Sequence, residues 1–137
     1  MIITRLRQIM LEDPSIVLDL DRRIYPTEWP DAPTFPLAIL QRVGGQGFTD
    51  MKGEAGIEHG RVQIDVYTDK GYEDLTRICM KIRRRFNGFK GGPKDAPCAI
   101  DRCAVINMMD LPANEVKQAG PRLRRRCLEL SVWSKEI

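Results

Sequence analysis

The chain has 137 residues and a mass of 15.7 kDa, the size of one ordinary domain, and can bury about two thirds of its unfolded surface without metal or disulfide staples. A composition 42% hydrophobic and 30% charged, with a mean hydropathy of -0.34, excludes a wholly disordered chain, and no apolar run approaches the roughly 18 to 20 residues of a membrane-spanning helix. The 22 basic and 19 acidic residues leave a net charge of +3 and a pI near 8.8, short of the excess carried by a dedicated phosphate-backbone binder.

The first segment, Ile2 to Leu11, sets Ile2, Ile3, Leu6, Ile9 and Met10 at helical spacing opposite Arg5, Arg7 and Gln8, which predicts a short amphipathic helix stopped by Asp13-Pro14. The stretch contains no apolar core followed by small residues, so the chain is expected to stay in the cytoplasm where it is made. Ser15 to Leu20 adds a further turn or two of helix. Pro26, Pro30, Pro33 and Pro36 then impose an extended, irregular and rigid segment. Leu37 to Val43 is β-prone and is expected to end at the glycine cluster Gly44-Gly45-Gln46-Gly47.

Gly47 to Gly60 is glycine-spaced and lacks periodicity, so it reads as a long, mobile, exposed loop and a candidate contact surface, with Gly47, Phe48, Met51 and His59 as its contact residues. Arg61 to Thr68 alternates, with Val62, Ile64 and Val66 on a buried face and Gln63, Asp65 and Tyr67 on the other. From Tyr72 to Phe86 a stripe of Leu75, Ile78, Cys79, Ile82 and Phe86 predicts an amphipathic helix ended by Asn87-Gly88. Ala99 to Met109 is a third strand, and Arg122 to Ser134 a last one with Leu128, Leu130 and Val132 inward. The order predicts a single α+β domain over residues 1–137, with helices on one face of a mostly antiparallel sheet of about four strands.

Chemistry-bearing patterns are sparse. Gly44-Gly45-Gln46 matches the tripeptide of release-factor tips but lacks their basic context, and Gly91-Gly92-Pro93-Lys94 lacks the spacing of a phosphate loop. Zinc would have to combine His59 with the loosely spaced Cys98 and Cys103, so no metal or other cofactor is assigned. Cys79, Cys98, Cys103 and Cys127 form no C-x-x-C pair and read as small, reduced residues, mostly in the core. Asp19, Asp21, Glu28 and Asp65 fall in no acid-base pattern, and no triad surrounds the sole histidine, so no catalytic residue is assigned.

Two arginine clusters remain. Arg83-Arg84-Arg85 suits the carbonyl end of a helix dipole. Arg122, Arg124, Arg125 and Arg126 lead into the last strand, where alternation puts Arg124 and Arg126 on the Leu128 face and Arg125 with Cys127. Placed at the strand's entrance, clear of the helices, they are read as subunit contacts ahead of a solvated face or a phosphate site.

Taken in order, Arg23-Ile24-Tyr25-Pro26 after the first helix, the strand Val62-Gln63-Ile64-Asp65-Val66, Phe86-Asn87-Gly88 and the terminal Val132-Trp133 resemble the tail completion, or head-to-tail joining, proteins of tailed bacteriophages and prophages. The resemblance spans nearly the whole chain except 99–121, which is richer in Met and Cys than the family pattern. It implies a structural, non-enzymatic subunit of the virion tail or neck, forming a hexameric ring that caps the tail tube and meets head-to-tail connector proteins, with no membrane partner. An unpaired strand edge, long loops and clustered arginines suit ring closure by unlike patches. The alternatives are a nucleic-acid-binding module using the arginines and a hydrolase of unassigned substrate.

Overall fold

A computed structural model of the chain describes residues 2–50, 53–91, 98–112 and 123–136. Three helices, α1 (Ile2–Glu12), α2 (Pro14–Leu20) and α3 (Tyr72–Phe86), accompany five strands, β1 (Ile24–Pro26), β2 (Leu37–Asp50), β3 (Gly53–Thr68), β4 (Cys98–Leu111) and β5 (Arg124–Glu136). The strands form one sheet in the order β1-β2-β3-β5-β4, with β1 parallel to β2 and every other neighbour antiparallel. The fold is α+β, as expected, with five strands rather than about four. The extra strand, β1, hides in Ile24–Pro26 because three residues ending in proline carry no periodicity.

The helices pack on one face of the sheet. Val62, Ile64, Val66, Leu75, Ile78, Ile82, Phe86, Leu128, Leu130 and Val132 are all buried there, together with Leu6, Ile9, Met10, Ile16 and Leu20 from α1 and α2. Asp13 ends α1 and starts α2: its Oδ1 accepts from the backbone N–H of Ser15 at 2.9 Å, with Pro14 at the first helical position. Asp19 on α2 then accepts from Lys81 Nζ at 2.6 Å and from Arg77 Nη2 at 3.0 Å on α3, which ties the two helices together. Burial raises the Asp19 pKa, but these two cationic donors outweigh it and hold the carboxyl below its usual 3.8.

The opposite face is not simply solvated, contrary to the expectation of one buried side for the β3 strand. Leu37, Ile39 and Tyr67 are buried there under Tyr25, Trp29 and Phe35, so the proline-bearing segment lies across the sheet as a strap. Trp29 meets the Tyr67 ring edge-on at 4.5 Å. Alternation alone cannot reveal a strap supplied from elsewhere in the chain.

The segment 47–60, expected as a mobile loop, is for the most part hairpin. β2 continues through the glycines to Asp50 and β3 begins at Gly53, with irregularities between Arg42 and Gly44 and between Gly47 and Thr49. Glycine weakens local strand preference, but the ladder to the partner strand supplies the order, and the bulges absorb the mismatch. Gly60 has a packing reason as well: a Cβ there would lie 2.8 Å from Ile2 Cδ1 of α1. The strands expected over 99–109 and 122–134 run over Cys98–Leu111 and Arg124–Glu136.

The two sheet edges differ. Along β4, Ile100 exchanges both backbone hydrogen bonds with Gly91, Gly88 N–H donates to Cys103 O at 2.9 Å, and Asn87 Oδ1 accepts from Val105 N–H at 3.2 Å. Gly88, at φ 82°, gives the chain the left-handed turn that brings residues 87–91 alongside β4. The β4 edge is therefore covered from Ile100 to Val105. On the other side β1 covers only Ala38, Ile39 and Leu40 of β2.

Shortening Ile64 to Ala is expected to cost about 2 to 5 kcal/mol in urea unfolding. Leu18→Ala, at a side chain 80% exposed, should change stability by less than about 0.5 kcal/mol. The Asp19 contribution, from a pKa depressed on folding, is fully present above the unfolded pKa and is lost as pH falls through the folded value. Acid titration of Asp19→Asn should lack that part of the wild-type stability loss below about pH 4.

Candidate assembly surface

The arginine run at the start of β5 is divided by the two-residue period of the strand. Arg124 is exposed, with its guanidinium 6.0 Å from the Tyr72 ring centroid at the start of α3. Arg126 points to the same face and lies closer in, 5.0 Å from that ring, donating from Nε to Asp110 Oδ1 at 2.6 Å and from Nη1 to Thr76 Oγ1 at 3.1 Å. Burial lowers its pKa, but the bond to Asp110 more than restores it, so the side chain stays charged. Arg125 turns to the strap face, 3.2 Å from Asp65 Oδ1 and 5.6 Å from the Tyr67 ring. The alternation expected from sequence is present. The expectation that these side chains stay clear of the helices is corrected for Arg126, which packs against the first turns of α3.

Sequence reasoning missed the partners: Tyr72, Thr76, Asp110 and Asp65. Asp65 and Arg125 lie diagonally across neighbouring strands, as Asp65 pairs with Cys127 and Tyr67 with Arg125. The signal was available only once the β3 and β5 register was known. Between α3 and the ends of β4 and β5 lie two adjoining clefts of about 190 and 300 Å³, sharing Tyr72 and Asp110. Tyr72 is half exposed, and Met109 and Ile106 add exposed apolar surface along β4.

His59 lies on β3, stacked on Trp133 at 4.5 Å with its Nε2 2.6 Å from Ser131 Oγ. It is thus part of the sheet's strap-side face rather than of a loop. Gly47 and Phe48 fall on β2 in the hairpin, while Met51 and Arg122 lie outside the described residues. Gly44-Gly45-Gln46 is mid-strand rather than a strand-ending turn. At the C-terminal end of α3, Arg83 and Arg84 are exposed, and Arg85 sits 5.3 Å from the Phe89 ring and 3.8 Å from Asp13 Oδ2.

Cys79, Cys103 and Cys127 are buried, and burial pushes each thiol up to about 12, so all three are protonated and weakly nucleophilic near neutral pH. Among the described residues no group of three or more His, Cys, Asp or Glu is placed to hold a metal ion, and no helix is long and apolar enough to cross a membrane. The surface offers contact chemistry: a ring, two exposed apolar side chains and one outward cation beside a cleft.

The family model described as tail completion protein gp17 matches residues 4–135. No curated protein sequence matches the chain. Among solved structures, a chain in the virion of a native gene transfer agent particle is similar with a TM-score of 0.70 and 13% identity, over 97% of this chain and 93% of that one, a likeness of fold.

Stability should separate the three arginines. Arg125→Ala leaves the Asp65 carboxylate buried beside Gln63 and is expected to cost about 2 to 5 kcal/mol. Arg126→Ala removes a largely buried side chain but leaves a half-exposed Asp110, for about 1 to 3 kcal/mol. Arg124→Ala should fall within about 0.5 kcal/mol of the parent in the same urea titration.

Proposed function

The chain belongs to the tail completion protein gp17 family, whose members are structural proteins of the bacteriophage virion tail, and from that premise we propose that it is a single-domain subunit of a ring. The ring, a hexamer in this reading, caps the tail tube and presents the surface that the connector proteins of the filled head meet. The observation that carries the reading is the family match over residues 4–135, supported by a fold shared with a chain of a gene transfer agent virion.

The physical features suit a contact role. A ring closes through unlike patches on adjacent subunits. The two adjoining clefts rimmed by Tyr72, Met109 and Arg124 are such a patch, because they combine an aromatic ring, an exposed thioether and a cation that, among the described residues, lies outside the ion pairs. Arg125 and Arg126 act from within by fixing the sheet and α3 beneath the patch. A nucleic-acid role through the same run loses support for that reason, since both guanidinium groups already hold carboxylates.

Arg124→Glu is expected to reduce the yield of infectious, joined particles while the purified subunit melts like the parent. Negative-stain electron microscopy should show rings of the parent, free or on tail tubes, and fewer of the variant. Binding of the parent to duplex DNA with affinity falling steeply in salt, together with unchanged particle joining by the variant, would overturn the ring reading in favour of nucleic acid.

A further inference from the structure

We propose that the first turn of α1 is a releasable clasp: in the free protein it is poised between a closed position on the sheet and an open one, and the buried guanidinium of Arg5 sets the balance. The proposal does not rest on the ring reading.

Arg5 is 3% exposed, as deeply placed as the apolar residues Ile2, Leu6, Ile9 and Met10 of its helix. Its Nε and Nη1 are buried with no hydrogen-bond partner. An arginine does not escape by losing its proton, so a full charge is kept out of water without an acceptor at these two nitrogens. Arg126, the other buried arginine among the described residues, is a settled case, with Asp110 at 2.6 Å and Thr76 at 3.1 Å. Helix α1 offers nothing comparable. Glu12 is its one carboxylate, exposed and two turns further on, and its first turn holds no acid.

Helical spacing explains why such a residue is buried. Ile2, Leu6, Ile9 and Met10 fix the face that meets the sheet, and Arg5 stands between Ile2 and Ile9 at the margin of that stripe, so seating the apolar row carries it in. The second turn has no such conflict. Arg7 Nε donates to Ile24 O of β1 at 2.7 Å, and Ile9 and Met10 lie fully in the core. In the first turn Ile2, so close over Gly60 that a Cβ there would lie 2.8 Å from its Cδ1, holds the chain down while Arg5 draws it toward water. The tie at Arg7 marks the boundary of the part that opens. Segments with low local stability open below the global transition, and an uncompensated buried charge is a cause of that kind.

The test is native-state hydrogen exchange of the full-length chain, compared as protection factors. It is read at the amides of Leu6, Arg7, Gln8 and Ile9, whose helical acceptors are the carbonyls of Ile2 to Arg5, with Ile78 to Ile82 of α3 as the reference. In the parent the first set should exchange about a hundredfold faster than the reference. Arg5→Met keeps helix propensity nearly constant and removes the charge, so it should slow the first set about tenfold or more and raise the thermal midpoint by about 2 °C or more. Ile2→Ala should speed the same four amides about tenfold or more. Three outcomes overturn the proposal. A parent in which the four amides are as protected as those of α3 has no separate opening. An Arg5→Met variant that melts lower or exchanges faster than the parent shows that the guanidinium is satisfied in the closed fold. Inorganic phosphate that, at constant ionic strength, raises the thermal midpoint of the parent and not of Arg5→Met makes Arg5 an anion site instead.

Discussion

The pairing of β3 with β5 is the constraint on which the rest of the structure depends. Its register, from Ile57 opposite Lys135 to Thr68 opposite Arg124, sets Val62, Ile64 and Val66 and then Leu128, Leu130 and Val132 under the helices. A slip of β5 by one residue against β3 would turn Arg125 and Glu129 toward the helices and expose Leu128, Leu130 and Val132. Such a slip would expose three buried side chains at about 1.5 to 3 kcal/mol each, a loss comparable to the whole stability of a marginally stable domain. The same register places Asp65 and Arg125 diagonally on the strap face, so the ion pair and the core enforce one another.

The alternation that builds the core also decides what each arginine of the β5 run does. Consecutive side chains of a strand point to opposite faces of the sheet. The three cations thus part company: Arg126 goes to Asp110 and Thr76 beneath Tyr72, Arg125 to Asp65 over Tyr67, and Arg124 remains outside. Two of the charges therefore act as structural ties between neighbouring elements. Desolvating a guanidinium is tolerable in each case because a carboxylate lies within hydrogen-bond distance and an aromatic face is close by. What remains for a partner is the single outward cation and the apolar rim beside it.

Much of this was legible in the sequence because it is periodic. The stripe of Leu75, Ile78, Ile82 and Phe86 and the alternation of β3 and β5 gave element type and buried face directly, and α3 has the boundaries that Tyr72 and Asn87-Gly88 imply. The hairpin was misread because Gly44, Gly45, Gly47, Gly53, Gly56 and Gly60 erase local strand preference, although long-range pairing overrides it. The strap was invisible for a related reason: Trp29 and Phe35 cover Tyr67 from more than thirty residues away, and no local pattern records that. The candidate contact residues divide in the same manner. Arg124 was legible as an outward cation, whereas Tyr72 and Met109 became part of the same patch only when α3 was laid beside β4.

The two edges of the sheet carry the argument from stability to association. Residues 87–91 cover β4 from Ile100 to Val105, and they cost little in configurational terms because Gly88 and Gly91 adopt the positive φ that the return path needs. At the other edge β1 stops after three residues, with proline at its end, and a glycine-rich arm continues with no further strand beside it among the described residues. Had stability been the only demand, the strap between Thr27 and Pro36 could have continued along β2 instead of crossing to Tyr67. It crosses because Leu37, Ile39 and Tyr67 leave apolar surface on that face which a second edge strand would not bury. The fold thus spends its aromatic residues on a sheet face and leaves backbone groups at one edge. Backbone edges pair with other backbones, whereas apolar faces collapse on anything apolar, so this division keeps the uncovered part of the molecule selective about what it joins.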